Sequence, residues 1–337
     1  MKYVKYVVVV VITVALSVVG TLVVSSNLKQ QAPDTVLGQW AIGADLSAAT
    51  DLGSAERDSH GGLSGYLPDQ ELPDSTQFLG LPPKLGADND LGDVAVAKSV
   101  ADLKGTDRWA LAALDARLDN SAASCEFNCA IGVNISEAET PHLYALVLRT
   151  ATTSNAVSGA MKVAQMKTRP FVYSADHPDL GISKATCTPA DEVSLSKNGA
   201  YPSGHTSHAY AMGLVLSQVD PEDTTKIMTR ARQFAESRVV CNVHWMSDVL
   251  AGREVAATTF ARLQSNPSFQ ADLALAKDEF KVQKEKNEVP TKSYLIPAPS
   301  GDVPGAKEVV DSINQQILNW DCAKEEKVLS SFNLIEK

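Results

Sequence analysis

Residues 202–219 read PSGHTSHAYAMGLVLSQV. The proline and glycine predict a tight turn, and the apolar residues that follow predict a helix over Ser203–Val219. The first backbone N–H groups of a helix have no partner inside it and lie at the positive end of its dipole, so they form an anion site. Gly204 would let the backbone approach an anion, Ser203 adds a hydroxyl donor, and His205 can transfer a proton. An ordinary capped helix with a surface histidine is the alternative.

A second segment places a histidine and a carboxylate on one helix face. His244 and Asp248 are four residues apart in a helix predicted over His244–Gln264, so the carboxylate can hydrogen-bond to the ring and set its tautomer. Arg238 lies six residues before His244 and would point elsewhere in a continuous helix. We therefore expect the preceding helix to end near Ser237, with a bend through Val240–Val243. A purely structural His–Asp contact is the alternative.

A third segment carries two cations. Lys162 precedes Arg169 by seven residues, almost two helical turns, so both side chains are predicted to project from one face. Pro170 follows at once and is expected to turn the chain away from helix. Taken alone, the segment is more typical of a surface pair of basic residues.

The chain around these segments predicts an all-α fold. Strand-like stretches are few, and we expect an irregular linker or wrap over residues 27–84, an all-α domain over 85–285 and a C-terminal tail over 286–337. The tail has one helical stretch, near Ala306–Trp320. The further helices are predicted over Asp93–Asp119, Ser136–Thr168, Pro221–Ser237 and Pro267–Lys284.

The first residues predict export. Met1–Tyr6 carries two lysines, and Val7–Val24 has no charge. With small residues following, this pattern is typical of a signal peptide over residues 1–26 that is cleaved near Ser26. An uncleaved anchor is the alternative, because the apolar run is just long enough to span a bilayer. Either way the protein is expected to be periplasmic or secreted, and after cleavage no stable membrane span is expected.

The charge and the cysteine content indicate which partners and which kinds of site the protein can have. The 337 residues include 30 Lys and Arg against 40 Asp and Glu, a net charge of −10, which argues against nucleic acid as a partner. Five cysteines in an exported chain should mostly form disulfides, with one thiol left over or joining two chains. Since Cys187 and Cys241 both flank the segments above, a disulfide between them is one hypothesis. No histidine cluster accompanies Cys125 and Cys129, so a metal site is not expected.

Together the three segments resemble a known signature. They match K-x6-R-P, P-S-G-H and S-R-x5-H-x3-D, in that order, of the type 2 phosphatidic acid phosphatase superfamily. The sequence around them, such as LSKNGAYPSGHT at residues 195–206 and SRVVC at 237–241, is similar to bacterial class A non-specific acid phosphatases. The resemblance covers about Phe78–Lys284. Ala200 stands where members often have serine, and the Cys125/Cys129 pair has no counterpart in the family pattern.

The resemblance implies a helical domain that hydrolyses phosphate monoesters through a phosphohistidine, with no metal and no cofactor. His244 would be the nucleophile, Asp248 would stabilise its imidazolium, and His205 would protonate the leaving group. The implied phosphate-binding residues are Lys162, Arg169, Ser203, Gly204 and Arg238. Partners would be small phosphorylated substrates, and a homodimer or higher homo-oligomer stays open.

Three alternatives share parts of this pattern. Vanadate-dependent haloperoxidases use the same three-part pocket, because vanadate copies the five-coordinate phosphoryl transition state. A membrane lipid phosphatase is disfavoured because the sequence has only one long apolar run. A phosphate-binding module without turnover would need neither a proton donor nor a nucleophile.

Overall fold

The computed structural model describes residues 45–57, 62–119, 125–286, 288, 290, 295–297 and 303–332. Within these ranges the chain is all-α, as predicted. It contains no strand there, and a single isolated antiparallel bridge pairs Arg57 with Leu63. Besides short 3-10 turns, the described residues form the α-helices α1 Ser75–Phe78, α2 Leu91–Ser99, α3 Asp107–Leu114, α4 Asn128–Ile131, α5 Pro141–Val157, α6 Gly159–Gln165, α7 Pro170–Asp176, α8 Glu192–Leu195, α9 Gly204–Val219, α10 Thr224–Val240, α11 Met246–Leu263, α12 Pro267–Lys286, α13 Ala306–Ile317 and α14 Cys322–Ser330.

Helix α9 lies at the centre and packs against α5, α10 and α11. Its apolar residues, among them Met212 and Leu216, are fully buried with Leu146 of α5 and Phe234 of α10. The start of α9 also lies very close to α11. A Cβ on Gly252 of α11 would come within 2.6 Å of the carbonyl oxygen of Ser203. Only glycine permits this approach, which brings the turn before α9 against the first half of α11.

Several helix boundaries differ from the predicted ones. The segment predicted as one helix over Asp93–Asp119 is divided between α2 and α3, because Gly105 has a φ of +81° and the Thr106 side chain caps α3. The segment over Ser136–Thr168 is likewise divided, into α5 and α6. The chain leaves helix before Pro170, as predicted, with Arg169 extended at φ −77°, ψ 154°, but a new helix starts at the proline itself. The backbone N–H groups in the first turn of a helix have no partner inside that helix. Pro170, which lacks an N–H, is therefore tolerated as the first residue of α7.

Both ends of the described chain pack onto the helical body. Thr50 donates from its backbone N–H to Asp272 on α12 at 2.7 Å, and the Tyr66 hydroxyl donates to the same carboxylate at 2.6 Å. At the other end the structure has two helices where one was predicted. Ile313 of α13 and Val328 of α14 are buried in a cluster with residues of α3 and α10.

Two disulfides join distant segments. Cys187 is bonded to Cys241, the pairing hypothesised from the sequence, and Cys129 is bonded to Cys322. Cys125 lies outside these two pairs. The proposed signal peptide over residues 1–26 falls outside the described residues. Among the residues that are described, no helix combines the length and the apolar character needed to cross a bilayer.

Candidate active site

Lys162 and Arg169 meet at one backbone carbonyl, although Lys162 lies on α6 and Arg169 is the extended residue before α7. Helix α6 ends at Gln165, because Met166 takes the left-handed conformation at φ 43°, so the predicted single helical face was wrong. Lys162 Nζ donates to the carbonyl oxygens of Gly199 at 3.3 Å and Pro202 at 2.5 Å. Arg169 Nη2 also donates to Gly199, at 3.4 Å. The loop before α9 therefore brings both cations together.

The turn before α9 has the predicted form. Ser203 is the N-cap, and its Oγ accepts hydrogen bonds from the N–H and the hydroxyl of Thr206 at 3.2 and 3.0 Å. Because these bonds occupy its lone pairs, the hydroxyl proton of Ser203 remains available to a ligand. Gly204 begins the helix, and a Cβ there would collide with Asn155 Oδ1 of α5 at 2.3 Å. Packing against α5 thus favours glycine, because a larger residue would displace the Asn155 side chain, whether or not a ligand is present.

The hydrogen-bond partner of His205 shows which of its ring nitrogens carries a proton. Its Nε2 lies 2.9 Å from the carbonyl oxygen of Ala116, which can only accept, so Nε2 carries a proton. The Nδ1 atom is then the position that can exchange a proton with a ligand. Burial holds the pKa of His205 well below its ordinary value, and the charge of Arg238 adds to this effect.

Arg238 is a buried cation with unused donors. Its side chain is in the last turn of α10, the residue is 2% exposed, and neither Nε nor Nη1 has a hydrogen-bond partner among the described residues. Burial, followed by the charge of Arg169, lowers its pKa to about 9. Buried donors are normally satisfied, so these two atoms point to an anion that binds here.

The bend between Arg238 and His244 starts later than predicted. Helix α10 continues to Val240 instead of ending near Ser237, and Asn242 reverses the chain at φ 59°. The backbone N–H groups of Val243 and His244 both donate to the carbonyl oxygen of Arg238, at 3.2 and 3.3 Å. This tight turn is what brings His244 back beside Arg238.

His244 lies between a guanidinium and a carboxylate. Its Nε2 is 3.0 Å from Arg169 Nη1, and its Nδ1 is 3.4 Å from Asp248 Oδ2. A guanidinium has no acceptor, so Nε2 must offer its lone pair and Nδ1 must carry the proton. Burial holds the pKa of His244 well below its ordinary value, with further lowering by Arg169, Lys162 and Arg238. The imidazole is thus neutral, with the Nε2 lone pair on the side of the cations.

Asp248 is fully buried and held by donors from two sides. Its Oδ2 accepts the N–H of Trp245 at 2.8 Å, which caps α11, and its Oδ1 accepts from Lys167 Nζ at 3.2 Å. Burial raises the pKa of this carboxyl, and the charge of Lys167 opposes the rise. Lys167 was not predicted as a site residue, although it is a third cation within the stretch from Lys162 to Arg169.

Ser237 matches the signature but takes no direct part in this arrangement. Its hydroxyl donates to Asp115 at 2.6 Å and accepts from Arg108 at 2.9 Å. Asp115 also pairs with Arg230, 2.5 Å away. This buried network supports α10 one residue before Arg238.

The converging cations share one electrostatic property. Burial and like charge together lower the pKa of Lys162 to about 7, and burial lowers that of Arg169 to about 10. Three cations held close together and largely away from water favour binding of a compact anion of high charge. Over the described ranges, no three His, Cys, Asp or Glu side chains are grouped so that they could hold a metal ion.

Comparison with known proteins identifies the family. Residues 142–266 match the family model described as PAP2 superfamily. A non-specific acid phosphatase of Providencia stuartii is 38% identical over 216 residues, which are 64% of this chain and 84% of the relative. A non-specific acid phosphatase of Salmonella typhimurium is 38% identical over 209 residues, 61% of this chain and 80% of that protein. An acid phosphatase of Zymomonas mobilis is 35% identical over 217 residues, 64% of this chain and 79% of that protein. With its three segments converging on one cationic site, the chain belongs to the PAP2 superfamily, among the bacterial acid phosphatases, which are phosphoric monoester hydrolases.

Proposed function

We propose that this chain hydrolyses phosphate monoesters of broad range at acid pH, through a phosphohistidine on His244 and without a metal ion. The observation that carries the proposal is the buried Arg238 guanidinium, whose Nε and Nη1 have no protein acceptor in the described structure. Arg238 is near enough to both imidazoles to lower the pKa of each. The substrate phosphoryl group would bind to these donors, between His205 and His244.

Phosphate binding needs donors fixed in place before the substrate arrives. Phosphoryl transfer spreads negative charge over three equatorial oxygens, and donors already aimed at them supply most of the catalysis. Lys162, Arg169 and Arg238 would supply the positive charges. The hydroxyl of Ser203 and the N–H of Gly204 would add neutral donors at the start of α9. These cations would take the place that metal ions occupy in metal-dependent phosphatases.

In the first step, His244 Nε2 attacks phosphorus in line with the leaving group. The Nε2–P bond forms as the ester P–O bond breaks, and Arg169 Nη1 releases Nε2 to bind a phosphoryl oxygen. His205 donates a proton from Nδ1 to the leaving oxygen, since its Nε2 proton is held by Ala116. Asp248 accepts from Nδ1–H of the imidazolium that forms on His244.

In the second step, water attacks the phosphohistidine. His205 takes a proton from that water, the P–Nε2 bond breaks, and inorganic phosphate leaves. One imidazole must therefore begin neutral and the other protonated. A bound phosphate anion would raise the low pKa of His205, so protonated His205 with neutral His244 is favoured in the substrate complex at acid pH.

A haloperoxidase would use the same pocket to hold vanadate, but the comparisons give this alternative no support, since the three relatives above are named as acid phosphatases. An assay of bromide oxidation with vanadate and peroxide distinguishes the two, and we expect no oxidation above background.

The remaining proposals concern the whole protein. We propose that residues 1–26 direct export to the periplasm or the medium and are cleaved near Ser26, which N-terminal sequencing of the mature protein tests. Small phosphorylated molecules are the proposed substrates, and nucleic acid is not a proposed partner. The acid phosphatase domain over 85–285, with a wrap before it and a tail after it, remains the proposed division of the chain.

Turnover of a chromogenic aryl phosphate tests the proposed reaction. We expect hydrolysis at acid pH that survives a chelator and is blocked by vanadate. His244→Ala should lower kcat by at least about 10³-fold, since the nucleophile is lost. His177→Ala, an exposed histidine, is the matched control and should leave kcat unchanged. Activity that disappears with chelator and returns with metal would contradict the metal-free pocket, and an active His244→Ala would remove the nucleophile.

A further inference from the structure

Lys167 contacts three acceptors at once. Its Nζ lies 3.0 Å from Asp93 Oδ2, 2.8 Å from Ser247 Oγ and 3.2 Å from Asp248 Oδ1. The side chain is only 4% exposed, and an ammonium has three N–H donors, so each donor is used. With every donor engaged in this way, Lys167 has none left for a phosphate.

Asp93 completes the arrangement from α2. Its Oδ1 accepts from the backbone N–H of Ser247 at 2.8 Å, and its Oδ2 accepts from the Ser247 hydroxyl at 2.5 Å. Ser247 directly precedes Asp248 in the first turn of α11. These bonds therefore fix both the backbone that carries Asp248 and the ammonium that contacts its carboxylate.

We propose that Lys167 and Asp93 are positioning residues for the reaction, which hold the Asp248 carboxylate behind His244 in its ionised form. The inference rests on the proposed function, because it assigns a task to Asp248 in that mechanism. Neither residue touches the substrate; both act through Asp248.

The charges of the group explain why two carboxylates and one lysine are needed. Lys167, Asp93 and Asp248 together carry one net negative charge. When His244 is phosphorylated, its imidazolium ring adds one positive charge, so the charges of the ring, Lys167 and the two carboxylates sum to zero, which suits a buried site. The negative phosphoryl oxygens would face the cations on the other side of the ring. Without Lys167, two buried carboxylates would lie close together, and one of them would take up a proton.

The surroundings of Asp248 give the direction of the pH effect. Burial raises the pKa of Asp248, Lys167 is the largest influence that lowers it, and Asp93 raises it. Removal of Lys167 should therefore raise this pKa further. Other titratable groups that interact with Asp248 are His244, Arg169, Lys162 and Tyr201.

The test compares Lys167→Met with Lys167→Arg. For Lys167→Met we expect the acidic limb of kcat/KM for an aryl phosphate to move to higher pH by about one unit, which is a roughly tenfold loss on that limb. Inhibition by sulfate should stay within about twofold of the wild type, since the cations that would bind phosphate are untouched. Lys167→Arg keeps a cation beside Asp248, so the acidic limb of its kcat/KM profile should stay at the wild-type pH.

The double variant Lys167→Met with Asp93→Asn separates positioning from folding. It leaves no unpaired Asp93 charge, so the fold should recover. The acidic limb should return part of the way, because Asp93 also raises the pKa of Asp248, but it should stay above its wild-type position because Lys167 has the larger influence. A folded double variant with the wild-type limb would overturn the inference, as would a Lys167→Met profile that falls equally at every pH. If the wild type is active but the limb does not move, only this inference fails; an inactive wild type defeats the proposed function and this inference with it.

Discussion

Arg238, Arg169 and Lys162 each have a pKa below the ordinary value of the side chain, because burial opposes their charge. Neighbouring cations lower it further for Arg238 and Lys162. A site of this kind costs folding free energy when it holds no anion. An anion that binds to these side chains relieves the repulsion and should therefore stabilise the folded chain.

Lys162 should make anion binding depend on pH near neutrality. Its pKa is lowered to about 7, so its ammonium is present below pH 7 and is lost as the pH rises through that value. Inhibition by sulfate, which stays a dianion over this range, should weaken by about tenfold per pH unit at most on that limb. Steady-state kinetics between pH 5 and about 9 measures the effect.

Two variants of Lys162 show whether this lysine causes the pH dependence of sulfate inhibition. Lys162→Met should bind sulfate weakly already at pH 5 and lose the dependence, whereas Lys162→Arg should carry tight binding to higher pH because a guanidinium stays charged. A Lys162→Met enzyme that keeps the wild-type dependence would show that another group controls anion binding.

At this scale the sequence was sufficient to select residues but not to arrange them. The spacing of the motifs singled out the side chains that surround His244, and the structure brings them together. The sequence could not reveal that Arg169 contacts His244 Nε2, because that contact depends on the loop over Leu195–Gly199. Lys167 was missed because its acceptors come from α2 and α11, far away in the chain.

The position of α11 against the start of α9 is the element contact on which the site depends most. Ser203 N–H donates to the carbonyl oxygen of Asp248 at 2.9 Å, and Gly252 lies against the same turn. These contacts set the distance between the proposed phosphate-binding turn and the helix that carries Asp248.

Gly252→Ala should separate these two elements. The new Cβ would lie 2.6 Å from Ser203 O and 2.8 Å from Thr206 Cβ, and neither atom belongs to the flexible end of a side chain. We expect a loss of about 1–3 kcal/mol in the free energy of unfolding, as for overpacked cores, together with a fall in kcat. Thermal or urea unfolding and steady-state kinetics measure both.

Gly92→Ala in α2 is the matched control, because a Cβ there meets nothing within 4 Å. An exposed helical alanine should raise stability by roughly 0.5–1 kcal/mol and leave kcat unchanged. If Gly252→Ala behaves like this control, the close approach of α9 and α11 does not control the site.

Helix existence was predictable, whereas most errors fell at helix ends. Periodicity predicted α9, α11 and α12 nearly to their bounds, since each has a long apolar face. The break at Met166 was not predicted, because non-glycine residues rarely take positive φ and no turn residue marks it. The bend through Val240–Val243 was predicted, and it contains Asn242 at φ 59°. Helix α14 was not predicted, because its apolar residues are buried only by packing against α3 and α10, which are distant in the sequence.

Across the whole molecule, the last described residues act as a strap on the helical body. The disulfide between Cys129 and Cys322 joins residues 193 positions apart. Arg230 Nε lies 3.0 Å from Glu325 of α14, and Gln233 donates to the carbonyl oxygen of Leu329 at 3.1 Å. Residues predicted as a tail therefore cover part of the core beside α10.

Removal of this disulfide should lower stability more than activity. In the double variant Cys129→Ser, Cys322→Ser, loss of a cross-link over so long a loop should cost about 5 kcal/mol on the chain-entropy account. We expect a lower Tm, with kcat/KM within about twofold of the wild type, because none of the hydrogen bonds at His244 and Arg238 involves this pair. A variant with the wild-type Tm would show that α14 stays in place without its covalent link.

The proposed mechanism depends on His244 receiving the phosphoryl group, and trapping the intermediate tests this most directly. Enzyme mixed with labelled substrate and quenched within milliseconds in alkali, where phosphohistidine survives, should carry up to one phosphoryl group per chain. Peptide mapping should place that group on Nε2 of His244, and acid should release it. Label on a serine or aspartate, or an unlabelled enzyme in full turnover, would contradict the account.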